Sequence, residues 1–253
     1  MTLPPRLPAK LGAAAWLALA LASPAWAADW YTGATVAPPA DDWVVSVDAS
    51  VSVTSNASVF GGVSGTIAVD GTRLESGPRV RIEGLAGTYT YDDAGADARV
   101  VGRQEEGSAM VGYEAVWRDA ALAGYVGVNV RNNTLSIFDP DNPVVGTEVG
   151  VKGTAEFYVR PTERTAVAGY ASYSTAHNAY YTRLRGGYNL FGNAYIGPEI
   201  GFLGDDFFNQ VRVGAHLTGF TIGALQVGVA AGYLNDRVQR SGAYTTLDVR
   251  AGF

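Results

Sequence analysis

TEVGVKGTAEFYV, residues 147–159, splits into two unlike faces when it is read in twos. Val149, Val151, Gly153, Ala155, Phe157 and Val159 fall on one side; Glu148, Gly150, Lys152, Thr154, Glu156 and Tyr158 fall on the other. Side chains of a strand point alternately to opposite faces of its sheet. The segment therefore reads as a strand with one apolar face and one that repeats its charges. Its 13 residues far exceed the usual globular strand of about 5–6. They suit a tilted strand that crosses a bilayer, which needs roughly 9–11.

The same reading applies along most of the chain. Strand-like segments occupy 43–54, 59–69, 78–91, 108–117, 121–132, 147–159, 164–174, 180–190, 193–203, 209–219, 224–234 and 242–253. Short breaks such as Arg118-Asp119 and Phe191-Gly192 alternate with longer polar ones at 92–107, 132–146, 174–178, 203–209 and 234–242. Short turns at one end and long loops at the other characterise outer-membrane barrels, whose strand number in bacterial single chains is even. The expectation is an all-β protein: an antiparallel up-and-down transmembrane β-barrel of about twelve strands, with ten to fourteen compatible. The loop 54–58 is short for the long-loop end, and the turn 70–77 is long for the short-turn end. A soluble sandwich also alternates, so strand length, even spacing and the N-terminus must decide between the two.

The N-terminus favours export. Arg6 and Lys10 precede an apolar run from Leu11 to Ala22, followed by Pro24 and Ala25-Trp26-Ala27. A basic n-region, a short h-region and a small-x-small site form a secretory signal peptide. The run is too short for a spanning helix, which needs about 20 apolar residues. The expected organisation is a signal peptide at 1–27, an N-terminal periplasmic segment at 28–42 and a barrel at 43–253. The protein would then sit in the outer membrane of a Gram-negative bacterium, with outer-membrane lipid as a partner. The whole chain carries a formal charge of −6, from 18 basic and 24 acidic residues. Losing the two basic residues of the leader lowers this to −8, which argues against nucleic acid as a partner. There is no Cys, so thiol nucleophiles and thiolate metal sites are excluded.

The chain ends GAYTTLDVRAGF, 242–253. An amphipathic last strand with a terminal aromatic resembles the signal that hands outer-membrane barrels to their assembly machinery. Here Tyr244, Leu247, Val249, Ala251 and Phe253 are expected toward lipid. Tyr113, Trp117, Phe157, Tyr158, Tyr188, Phe202 and Tyr233 are expected near the interfaces, where aromatic girdles sit. The other face supplies the candidate site: lumen-facing Arg79, Arg81, Glu83, Glu114, Lys152, Glu156, Arg183, Arg185, Glu199, Arg212, His216, Asp248 and Arg250, with Asp48 and Glu148. Two readings of these charges stand side by side. They pair across the lumen and hold the barrel closed, or they line a wet channel or polysaccharide site with Tyr89, Tyr91 and Tyr125 as stacking surfaces.

A reaction is not expected. His216 faces the polar side of its strand, and His177 lies in STAHN (174–178) near Ser174, so a Ser-His-acid set could be drawn around either. General-base catalysis would need hydrogen-bond reach. No GxSxG and no metal-ligand spacing occurs. DPDNP (139–143) lacks the Gly and terminal Glu of a Ca²⁺ loop, and no cofactor is expected.

Several motifs in the second half point to a family. NPVVGTEVGVK (142–152), YSTA (173–176) followed by Tyr180-Tyr181 and RLRGGYN (183–189), GPEIGFLGD (197–205) and SGAY (241–244) occur in this order. Over roughly residues 108–253 the chain resembles the cellulose biosynthesis protein BcsS family of alphaproteobacteria, with a more distant likeness to MipA/OmpV-type barrels. The resemblance implies an exported or outer-membrane accessory of cellulose production, an exopolysaccharide of biofilms. It brings no catalytic residues. The partners it suggests are a cellulose or glucan chain and other cellulose-secretion components. The alternatives are a lipid-modifying barrel enzyme built on either His, or a scaffold that docks periplasmic proteins.

Overall fold

The computed structural model describes residues 44–93, 98–223, 225–238 and 240–253. The expected signal peptide and segment 28–42 lie outside the described residues. Twelve strands follow one another: β1 (Val45–Thr54), β2 (Val59–Ala68), β3 (Gly77–Asp93), β4 (Ala98–Trp117), β5 (Ala120–Leu135), β6 (Gly146–Thr162), β7 (Thr165–Ser174), β8 (Tyr180–Phe191), β9 (Ala194–Gly204), β10 (Asn209–Ile222), β11 (Leu225–Asp236) and β12 (Arg240–Gly252). Each pairs with its sequence neighbours, and β12 pairs antiparallel with β1, so the sheet closes.

The seam is in strict register, from Ser46↔Gly252 to Thr54↔Tyr244. Phe253 finishes it through its backbone. Its carbonyl accepts from Val44 N at 2.7 Å and Val45 N at 2.9 Å, and its own N–H donates to the Val45 carbonyl at 2.8 Å. The start of β1 and the end of β12 share one end of the barrel, here the near end. The opposite, far end carries the loops after β1, β3, β5, β7, β9 and β11.

The outer face is apolar on every strand. Val51, Val63, Ile82, Val111, Val126, Val149, Tyr173, Leu184, Ile196, Val213, Val229 and Leu247, one from each strand in turn, are exposed. A continuous apolar surface of this kind on a water-soluble protein would drive association. On a barrel it is the lipid contact. Tyr113, Trp117, Phe157, Tyr188 and Phe191 ring the near end, and Tyr173, Phe202 and Tyr233 the far end.

Two aromatics differ from expectation. Tyr158 and Tyr244 are buried in the lumen, at 5% and 2% exposure. The cause is parity: Tyr158 shares the face of Glu156, and Tyr244 that of Thr246, Asp248 and Arg250. No bulge interrupts either strand between these positions. Two expected loops also shrink. Most of 92–107 belongs to β4, and 132–135 belongs to β5. The outward residues of upper β4 include Arg103 and Glu105, which are exposed, so this stretch has no apolar face to announce it. The β3–β4 hairpin thus rises above the apolar belt.

Two outcomes test the membrane barrel. The unboiled protein should migrate faster than the boiled protein in an electrophoresis gel, and a single mobility would refute closure. Val126→Arg, at the middle of the β5 belt, should lower unfolding stability in lipid vesicles by about 2–4 kcal/mol.

Candidate functional site: a lumen filled at one end and hollow at the other

The near half of the lumen is packed. The β2–β3 turn explains its unusual length there. Arg73 turns inward from it and bonds the Glu114 carboxylate, which also takes Arg79 Nε at 2.8 Å. Arg79 donates onward to the turn's own Thr72 carbonyl at 3.3 Å and to the Glu75 carbonyl. Beside this staple lies a cluster of Ala121, Tyr158, Ala166, Ala168 and Tyr195. Small residues on β5 and β7 leave room for the two tyrosines from β6 and β9.

A layer of buried ion pairs crosses the middle. Glu156 binds Arg81 Nη1 at 2.7 Å, Arg81 Nε binds Glu83 at 2.6 Å, and Glu83 and Glu106 bind Lys152 Nζ at 2.7 and 2.8 Å. This chain ties β3, β4 and β6. On the other side Arg185 bridges Glu199 and Asp248, the latter at 2.8 Å, and Arg183 reaches Asp248 at 3.4 Å. Tyr244 donates to Glu199 at 2.9 Å. Arg250 meets Asp48 at 2.6 Å across the seam, where the two are register partners. Arg212 differs: it donates to Ser52 Oγ at 2.9 Å and Gln210 Oε1 at 2.6 Å, and lies over the Tyr244 ring. Charges this deep are tolerated because they are paired; deleting one partner of such a pair costs about 3–5 kcal/mol.

Above this layer the lumen opens into a cavity of about 250 Å³. Its floor includes Asp48, Arg81, Glu83, Lys152 and Arg183. One wall is aromatic. Phe60 and Tyr89 stack at 6.5 Å between ring centroids, Tyr89 and Tyr91 at 6.2 Å, and Tyr91 meets Phe207 at 5.0 Å. These rings lie flat because their neighbours lack side chains. A Cβ at Gly87 would overlap the Phe60 ring, and one at Gly102 the Tyr89 ring. Another part of the wall presents hydroxyls, from Ser50, Ser52, Ser172 and Thr246. At the mouth Arg131 pairs with Asp205 at 2.6 Å. Burial pushes the Asp205 carboxyl above its ordinary range, with Arg131 opposing. Tyr91 donates to Asp139 at 2.7 Å and accepts from Asn142 at 3.1 Å, which pins the β5–β6 loop to β3.

Tyr125 does not reach this wall; it lies lower, beside Met110 and Ala123, with Arg81 over its ring. Sequence reasoning missed Arg73, Glu106, Arg131, Asp205, Phe60 and Phe207 as lumen groups. All except Phe60 and Arg131 fall in segments read as loops or turns. For Glu106 the signal existed: Gly102, Gln104 and Glu106 continue the even parity of Ser108 and Glu114.

Neither histidine has a serine hydroxyl among its described hydrogen-bond partners. His216 Nε2 lies 3.0 Å from the Gly186 carbonyl and Nδ1 3.2 Å from Thr218 Oγ1. The β8–β9 pairing is interrupted between Arg185↔Glu199 and Tyr188↔Ile196, which leaves Gly186 level with Pro198, a residue that has no N–H to give. The imidazole therefore supplies the missing donor. A carbonyl only accepts, so Nε2 carries the proton and Nδ1 accepts from Thr218. His177 sits at positive φ in the β7–β8 loop, its Nδ1 3.0 Å from Glu148. Ser174 instead bonds Asn129 Oδ1 at 2.5 Å and the Ala176 N–H at 3.1 Å. Among the described residues no group of three or more His, Asp or Glu is placed to hold a metal ion.

A closed twelve-stranded antiparallel barrel with an apolar outer belt and a charged lumen is the outer-membrane class of β-protein. A solved structure shares the fold, and others are less similar. An outer-membrane channel from Pseudomonas putida F1 is 13% identical, with a TM-score of 0.57 over 90% of this chain and 100% of that one. The KdgM porin is 10% identical, with a TM-score of 0.45 over 82% and 99% of the two chains. The β domain of the Bordetella autotransporter BrkA is 16% identical, with a TM-score of 0.43 over 84% and 100%. No curated protein sequence matches the chain. Within this class the chain belongs to the cellulose biosynthesis protein BcsS family, whose model matches residues 46–253. Neither the family description nor those of the similar structures names a catalysed reaction.

Asp248→Ala removes the carboxylate that Arg183 and Arg185 share. It should lower the unfolding free energy by about 3–5 kcal/mol, measured by guanidinium titration in detergent micelles. A loss below 1 kcal/mol would mean that the pairs are solvated.

Proposed function

We propose that this protein is a non-enzymatic accessory of cellulose secretion, held in the outer membrane after removal of its leader, whose lumen contacts the glucan. The observation that carries the reading is the family match across the whole barrel. The inward set Arg79, Arg81, Glu83, Glu114, Lys152, Glu156, Arg183, Arg185, Glu199, Arg212, His216, Asp248 and Arg250 then serves mainly to shape and close the lumen. Its aromatic and hydroxyl walls are suited to a sugar chain. The engagement of His216 by a carbonyl and a threonine supports a structural part for it.

Deleting the gene should reduce secreted cellulose, measured by dye binding and acid-resistant glucose, and the wild-type gene should restore it. Unchanged output would sink the reading. The double variant His177→Ala/His216→Gln, in which Gln still offers a donor to Gly186, should restore output fully. Failure of a normally folded double variant would instead favour catalysis.

A further inference from the structure

We propose that the lumen is a blind receptor for a neutral glucan chain end, reached from the far rim, and not a conduit through the membrane. The inference rests on the glucan reading above and narrows it in two ways.

The first is the shape of the path. The cavity ends on the layer of Asp48, Arg81, Glu83, Lys152 and Arg183. Below that layer a polymer would meet the Arg185–Asp248 and Arg81–Glu156 pairs, then the Tyr158–Tyr195 cluster, then the Arg73–Glu114–Arg79 staple. Threading would separate several buried ion pairs at once, and each leaves an uncompensated charge. Short turns mark the periplasmic end of such barrels and longer loops the extracellular end. The cavity mouth, bordered by Arg131, Asp205 and Tyr91, is on the long-loop side. The ligand therefore comes from outside.

The second is the chemistry of the wall. Floor and mouth charges already have partners: Lys152 takes Glu83 and Glu106, Arg81 takes Glu83 and Glu156, Arg183 takes Asp248, and Arg131 takes Asp205. A charged ligand would have to compete for them. What remains open is a flat ladder of Phe60, Tyr89 and Tyr91 with hydroxyls elsewhere on the wall. Aromatic faces favour flat C–H-rich surfaces, and hydroxyls both donate and accept. A β-linked glucose unit offers apolar C–H faces and a rim of hydroxyls, with no charge. Arg212, whose described partners are Ser52 and Gln210 oxygens, is the feature that would favour an acidic sugar, and it sets the comparison to make.

The test uses the folded, heat-modifiable barrel in detergent and in planar bilayers. Isothermal titration with cellotetraose should show binding. It should weaken at least tenfold in Tyr89→Ala and in Gly102→Leu, whose side chain would displace the Tyr89 ring from its place over Gly102. Tetragalacturonic acid should bind at least tenfold more weakly than cellotetraose, and no conductance steps should appear. Equal cellotetraose binding by both variants would overturn the site. Tighter binding of the acidic oligomer would overturn the neutral ligand. Stable conductance steps would overturn the blind end. If deletion abolishes cellulose output but cellotetraose does not bind, this inference fails while the accessory role stands. Binding with unchanged cellulose output would remove the accessory role and leave the site.

Discussion

A sheet in hydrocarbon cannot have an edge. Each unpaired N–H or C=O there costs several kcal/mol, with no water to relieve it. Everything else in this protein follows from closing that edge. The β1–β12 seam joins residues some 200 positions apart, and the last backbone unit of the chain takes part in it. Once closed, the alternation of side chains leaves no choice: one set faces lipid and the other is shut inside. The same demand accounts for His216. Where Pro198 breaks the ladder, an imidazole from the lumen completes it.

The interior is then a problem of crowding and charge. A twelve-stranded barrel has more inner surface than apolar side chains can reach across, and long arginines fill it. Some guanidinium groups meet carboxylates on the adjacent strand, as Arg250 meets Asp48, and others reach across the lumen, as Arg81 on β3 does to Glu156 on β6 and Arg185 on β8 to Asp248 on β12, so these pairs also brace the wall against flattening. Bracing is dense from the near end to the middle and returns at the mouth only with Arg131–Asp205 among the pairs described above. The remaining space is kept by glycines at 87 and 102, over which aromatic rings lie flat. The hollow is thus built by omission, by side chains withheld at particular wall positions.

The strand pattern was legible because membrane strands repeat a two-residue contrast for ten or more residues. Every one of the twelve segments read in the sequence corresponds to a strand. The contrast vanishes where both faces are polar. Upper β4, with Arg103 and Glu105 outside and Gln104 and Glu106 inside, reads as a loop although it is paired throughout. Tyr158 and Tyr244 show the opposite fault: Tyr158 was expected at an interface and Tyr244 toward lipid, while parity placed both inside. The pairing partners of the lumen charges were not legible, because they depend on register across non-adjacent strands. Arg73 illustrates the limit, since nothing in DGTRLESG shows that a turn folds inward.

The height of the β3–β4 hairpin has one more consequence. β2 leaves β3 at Thr88, and β5 leaves β4 at Gly102. Beyond those points, apart from one bond from the Ser136 N–H to the Val101 carbonyl, the two strands are laddered only to each other. An isolated two-stranded ribbon is marginal by itself. Its order is borrowed from side chains: Tyr91 on Asp139 and Asn142, Phe207 against Tyr91, and Thr90 on the Asn56 carbonyl. Hairpin and loops therefore form a single cooperative unit of lower local stability than the wall below it. The barrel is a rigid stem that carries a rim able to loosen as one piece.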